Sequence, residues 1–316
     1  MKINYILLIH KSPEQVYRLV SALSGVNTTF YLHVDKKVSI VPYQEALKDI
    51  NNLVFMSDDD RFNGQWGGIE LIYATLGMLR MVQAKGQHNG YTILLSGQDY
   101  PIRSTTYINS FLEDNNGKEF IDIFPMPKKS WWPLPDGMHR LNRYLFRKSS
   151  GRYDFVLFPS LSEKEFYTSF FLKELGKLLI RGNFMFLRKI LKPRVFPNYL
   201  KPYGGHQWFA FTGKTVDAIL NFLGKHPDYL TYHQDSLVPD EVFFQPIIKH
   251  LFTDNSVTSS CLNYANWTRE IAVLPVTFDS SDIKEIVSLP DHVLYARKFD
   301  IEYDAEVLDL IDKFRE

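Results

Sequence analysis

Two acidic stretches carry residue types that do chemistry. In "VPDEVFFQ", Pro239-Asp240-Glu241 stands where a loop turns into a helical pattern. One carboxylate at such a place serves a reaction that needs a single general base. Cleavage of a glycosidic bond instead calls for two facing carboxyl groups about 5 to 9 Å apart, a geometry that adjacent residues do not supply by default. The competing reading is helix capping, since acids in a first turn are favoured by the helix dipole. Asp240 suits that cap, and Glu241 would then point elsewhere, into a cleft. In "FMSDDDRFNGQWGG", Asp58, Asp59 and Asp60 follow an apolar run. An Asp-x-Asp at a strand end is a candidate divalent-metal site. The alternative is a solvated loop in which Gly64, Gly67 and Gly68 turn the chain before the next helix.

The elements that must position these carboxylates alternate. Residues 4–9 read as a buried strand, and 13–23 as a helix opened by Pro13 with Val16, Leu19 and Val20 on one face. Strands follow at 29–34 and 53–56, a helix at 69–82, and a fourth strand at 91–95. This βαβ rhythm predicts an α/β, Rossmann-type fold around a mostly parallel central sheet. Ligands in such sheets sit at the carboxyl ends of the strands. Those ends read His10-Lys11, "HVDKK" with Asp35, Asp58 to Asp60, and "SGQD" ending in Asp99. No GxGxxG follows the first strand, which argues against a dinucleotide cofactor. A strand at 207–212 and helices at 214–223, 241–250 and 304–314 restore the α/β pattern in the last third.

A chain of 316 residues with 45% hydrophobic and 23% charged residues is ordinary for a globular protein. Its net charge of zero gives no reason to expect nucleic acid as a partner. Aromatics reach 15%, which suits sugar-stacking surfaces as well as a Phe- and Tyr-rich core. Cys261 stands alone, so no disulfide forms within the chain and a reducing, cytoplasmic setting is expected. The charge is unevenly spread. Residues 128–201 hold sixteen Lys or Arg against five Asp or Glu. We expect one domain over 1–316 with this basic subregion inserted. Within it, "FYTSFFLKELGKLLIRGNFMFLRKILK" mixes apolar and basic residues. It reads either as an amphipathic helix lying on an anionic membrane surface or as a docking helix with a solvated basic face.

Eight segments in order resemble the core-2/I-branching β-1,6-N-acetylglucosaminyltransferase family, which also contains peptide O-xylosyltransferases. They are "YILLIHKSPEQVYRLVSAL", "FYLHVDKK", "QWGGIELIYATLGML", "LLSGQDYPIRS", "HQWFAFTGK", "VPDEVFFQ", "NYANWTRE" and "LYARKFD", spanning residues 5 to 300. The basic middle matches least. The resemblance implies a variant of the GT-A nucleotide-sugar fold. It also implies inverting transfer from a UDP-sugar, with GlcNAc or xylose the usual sugar, and without a metal or other cofactor. Glu241 falls on the family's general base, and Lys298, with Arg297 beside it, on a cation that compensates the leaving diphosphate. The family's second cation is an arginine near 273–281, where this chain has none; Arg269 or Lys284 would stand in. Asp58 to Asp60 would then be a loop, with Trp66-Gly67 matching a family Trp-Gly pair. The same likeness implies donor contacts from His10, Asp35 and Asp99. Acceptor contacts would come from Trp267, Trp208, Arg269 and Arg140. The single cysteine and the basic segment favour a bacterial-type enzyme acting on a glycan or lipid-linked saccharide at the inner membrane face. The rival readings are a peptide O-xylosyltransferase-like enzyme and a non-catalytic sugar-binding or membrane-adaptor protein.

Overall fold

A computed structural model describes residues 1–316 except 87–88, 129–135, 254–256, 259 and 271, and gives only the backbone of 257–258. The start of the basic subregion therefore lies outside the described residues. Among the described residues seven strands form the main sheet. In chain order its first members are β1 (Lys2–Ile9), β2 (Thr28–Val34), β3 (Leu53–Phe55) and β4 (Gly90–Ser96). These four pair in parallel in the spatial order β4-β1-β2-β3. Beyond β4 come Phe209–Thr212, Glu119–Ile121 and Val257–Thr258. Phe209–Thr212 pairs antiparallel with both of its neighbours. The expected α/β sheet, mostly parallel, is present.

Side-chain alternation explains the two layers around it. A strand sends successive residues to opposite faces. Ile3, Tyr5, Leu7 and Ile9 of β1 enter one apolar cluster, with Val16, Leu19 and Val20 of the helix α1 (Pro13–Leu23) and with Val307, Leu308 and Ile311 of the C-terminal helix. Ile6 and Leu8 enter the other, with Ile72, Leu76 and Leu79 of the helix Glu70–Ala84 and Val216 and Ile219 of Gly213–Lys225. A strand buried on both faces must be apolar throughout, as "YILLI" is.

Two smaller units join this sheet near the site among the described residues. Asp99–Pro101, Tyr295–Arg297 and Asn263–Ala265 make a three-stranded sheet just past the end of β4. Its register places Arg297 opposite Asp99. The basic subregion folds as the hairpin Tyr144–Arg147 with Phe155–Phe158, followed by the helices Ser169–Ile180 and Phe184–Ile190. It has its own apolar cluster of Val156, Phe158, Phe166, Leu178 and Ile190. The run expected as one helix over 166–192 is broken at Gly182, whose φ is +68°.

Candidate active site

The Pro-Asp-Glu stretch is a single 3-10 turn, Pro239–Glu241, and the α-helix after it is Phe244–Leu251. A helix was expected from residue 241. It starts later because Val242 and Phe243 turn into the core. Asp240 consequently caps nothing, and the helix N-cap position is Phe243. Ahead of the turn, Val238 sits at φ 50° and ψ 57°. A β-branched residue in this left-handed region costs about 1–2 kcal/mol, and such residues cluster at functional sites. Its N–H donates to the Gly67 carbonyl at 2.9 Å. Gly67 has φ +65°, and a Cβ there would lie 3.0 Å from Val238 Cγ2. Gly67 of the Trp-Gly pair thus clamps the acidic turn.

Asp240 is buried, and among the described residues its Oδ1 has no hydrogen-bond partner. Burial, and then the charge of Glu241, push its carboxyl up to about 7. Near neutrality the Asp240 carboxyl is therefore still partly protonated. Glu241 keeps 23% of its side chain exposed, and Arg140 Nη1 donates to its Oε2. Arg140, expected against an acceptor, is thus placed on the candidate base. Behind the turn, Gly205 N–H donates to the Glu241 carbonyl at 3.0 Å. A Cβ at Gly205 would meet the Asp122 carbonyl oxygen at 1.8 Å, so only glycine fits between them.

Arg297 joins this turn to the strand ends. Its guanidinium lies 4.4 Å above the Trp208 ring and 3.6 Å from Asp99 Oδ1. Burial lowers its pKa, opposed by Asp99 and Asp240. Asp99 is fully buried. Its Oδ2 accepts from the Ser96 N–H at 2.7 Å and from the Ser96 hydroxyl, and its Oδ1 from Asn263 Nδ2 at 3.0 Å. Asp99 is an anchor for Arg297. Burial raises its pKa, against the pull of Arg297. Trp208 is likewise covered, by Arg297, and is a floor for that cation.

The next residue, Lys298, has its pKa lowered by burial and then by the positive charges of Arg297 and Lys11, with Arg152 adding to them. Lys11 bonds Asp300, while Arg152 stacks over Trp66 at 4.8 Å. His10, though open to solvent, has its pKa lowered by partial desolvation and then by Lys11 and Lys298, while Asp35 acts in the opposite sense. The five candidate donor residues His10, Asp35, Asp99, Arg297 and Lys298 therefore share one neighbourhood. Lys11 and Arg152 join it and were not singled out from the sequence, where each reads as an ordinary surface cation. Asp35 is held by the Lys37 N–H at 2.8 Å. Close approach to it requires Gly64, where a Cβ would stand 2.7 Å from Asp35 Oδ2.

Trp267 remains open, with 46% of its surface exposed. Asn266 Oδ1 accepts from the N–H groups of Thr268 and Arg269 at 2.9 and 3.1 Å, which turns the chain and presents the indole outward. Arg269 pairs with Asp282 at 2.6 Å and Glu285 at 3.3 Å. It fastens the Trp267 loop, and those two carboxylates already occupy its charge.

Asp58 to Asp60 lie exposed. Asp58 pairs with Arg61 at 2.8 Å, and Asp60 accepts from the Ser57 hydroxyl at 2.6 Å. Among the described residues, the grouping able to hold a metal ion is a different one, Asp122, His206 and Cys261, whose donor atoms lie within 4.8 Å of one another. His206 Nδ1 bonds Asp122 Oδ2, the Cys261 N–H donates to Asp122 Oδ1 at 3.0 Å, and the thiol donates to the Asn263 carbonyl at 3.2 Å.

Known proteins resemble this chain at the level of sequence. Xylosyltransferase 2 of Rattus norvegicus is 23% identical over 338 residues, covering 99% of this chain and 33% of its own length. The Homo sapiens protein of that name is 23% identical over 335 residues, with the same coverage. Xylosyltransferase oxt of Drosophila melanogaster is 26% identical over 125 residues, 38% of this chain and 14% of that one. The chain spans about a third of the length of these two Xylosyltransferase 2 relatives. A solved 4-diphosphocytidyl-2C-methyl-D-erythritol synthase overlays 48% of this chain and 68% of its own, with TM-score 0.26 and 10% identity. The family model described as Core-2/I-Branching enzyme matches residues 3–287. The chain belongs to the Core-2/I-Branching enzyme family, a family of glycosyltransferases.

Proposed function

We propose that this chain moves a sugar, GlcNAc or xylose, from a UDP-sugar to a hydroxyl of a glycan or lipid-linked saccharide, with inversion and without a metal. The observation that carries the reading is the crowding of Arg297, Lys298, Lys11 and Arg152 at the strand ends beside the Asp240-Glu241 turn. Burial and the charges of Arg297 and Lys11 lower the Lys298 pKa, and a sugar diphosphate would supply an anion to it. Glu241 takes the proton of the acceptor hydroxyl. That oxygen bonds the anomeric carbon from the face opposite the leaving group, and the bond from this carbon to the diphosphate oxygen breaks. UDP departs with the electron pair, and Lys298 and Arg297 offset the charge that develops. Arg140 orients the Glu241 carboxylate. Trp267 offers a flat apolar face to an acceptor ring. The names of the relatives favour xylose among the donors to be tried.

The test is UDP release from a panel of UDP-sugars, with water as the weak acceptor, with and without EDTA. The wild type is expected to favour one donor and to keep its rate in EDTA. Glu241→Gln is expected to lose about 10²–10⁴-fold. Loss of release in EDTA, restored by added divalent ion, would overturn metal independence and point first to Asp122, His206 and Cys261.

A further inference from the structure

We propose that the corner between the helices Ser169–Ile180 and Phe184–Ile190 is a docking foot for an anionic lipid bilayer. Among the described residues, nine of the twenty large hydrophobic residues left exposed fall in residues 167–195, so the exposure is concentrated in one place. At its centre Leu179, Ile180, Phe184 and Met185 flank a three-residue turn, with Ile180 88% and Met185 83% exposed. The corner is held in shape. Gly182 at φ +68° ends the first helix, its N–H donates to the Leu179 carbonyl at 3.1 Å, and the Asn183 N–H donates to the Leu178 carbonyl at 3.0 Å. This is the paired bonding of a Schellman motif. The inner faces, Leu178 and Ile190, pack on the hairpin below. The apolar tip is thus presented by a built support.

Charge selects the occupant. Lys173, Arg181, Arg188 and Lys192 are exposed around the tip. Among the described residues none of the four pairs with a carboxylate. Apolar groups that enter an acyl boundary beneath a basic rim match an anionic lipid surface. Two copies meeting through this face would bring like charges together. Among the described residues no helix is long and apolar enough to cross a membrane, so the contact is interfacial.

The foot also connects to the site. A groove of about 690 Å³ beside it is lined by Leu191, Val195 and Tyr232 with Arg188 and Lys192. Arg194 beneath donates to the Arg140 and Arg143 carbonyls at 2.9 and 2.7 Å, and Arg140 holds Glu241. Given the transfer reading above, this surface favours the lipid-linked acceptor over a soluble glycan.

The experiment is flotation with vesicles of phosphatidylcholine alone or mixed with phosphatidylglycerol, for wild type, Ile180→Asp/Met185→Asp and Arg181→Glu/Arg188→Glu. UDP release from a soluble donor is read on the same samples. Wild type is expected to float with the anionic vesicles and weakly with the neutral ones. Each double variant should lose about tenfold or more in binding while retaining its UDP release. Equal flotation on both vesicle types, or wild-type binding in both variants, overturns the proposal. So does a wild-type dimer in light scattering that the Asp variant dissolves without any vesicle binding. UDP release without flotation removes the docking alone. Anionic-dependent flotation without UDP release supports the docking and counts against the transfer reading.

Discussion

The acidic runs at Asp58 to Asp60 and at Asp240-Glu241 differ in what surrounds them. Asp58 and Asp60 spend their charge on Arg61 and Ser57 within their own exposed loop. Asp240 is buried, its Oδ1 lacks a partner, and Arg140 and Arg297 reach the second run from distant parts of the chain. Charge density along the sequence is higher in the first run. Chemistry needs a carboxylate whose proton affinity and direction are set from outside, and the second run has that. A neutralised, hydrated loop carries little field, whereas a desolvated pair beside two guanidiniums carries a large one.

The sharpest way to break the contrast is to remove the cation beside Arg297 that would offset the leaving diphosphate. Lys298→Ala is expected to lower kcat for UDP release about 10²–10³-fold, with KM for the donor less affected. A steady-state comparison of the two constants reads this, and a change in KM alone would make Lys298 a ground-state contact. Next in size is the clamp. Gly67→Ala places a Cβ on a positive-φ residue against Val238. We expect about 1–2 kcal/mol of lost stability in urea melts, together with reduced UDP release.

Asp240 gives a pH signature. Its folded-state pKa is raised from the ordinary carboxylate value to about 7. The folded state therefore holds the proton more tightly than the unfolded chain does. The resulting stability is full below the ordinary carboxylate range and is lost as pH rises through about 7. Asp240→Asn should flatten that decline, by on the order of 1–3 kcal/mol between about pH 5 and about pH 8. The smallest effect belongs to the first run. Asp58→Asn, Asp59→Asn and Asp60→Asn together should shift stability by about 0.5 kcal/mol or less per site.

Much of the layered sheet is legible in the sequence because its signals are local. "YILLI" and the Pro13-led helix repeat with their own periods, and α1 falls on the residues that its pattern predicts. The Pro-Asp-Glu turn is recognisable from its motif and its neighbours. Its geometry is not, because the late start of the helix depends on Val242 and Phe243 finding the core. The three-stranded sheet is hidden for a related reason. It brings together residues near positions 99, 263 and 297, and no local period announces it. For the same reason Asn263 on Asp99, Arg140 on Glu241 and Lys11 and Arg152 near Lys298 could not be read ahead of the fold. Arg269 stands in the expected loop, but Asp282 and Glu285, brought up by the following helix, claim its charge.

The most direct test of the account compares UDP release by Glu241→Gln with release by the Asp58/Asp59/Asp60→Asn triple variant, on the donor that the wild type prefers. The account predicts a loss of about 10²–10⁴-fold in the first and near wild-type rates in the second. A triple variant as impaired as Glu241→Gln would contradict it and return the chemistry to the exposed aspartates.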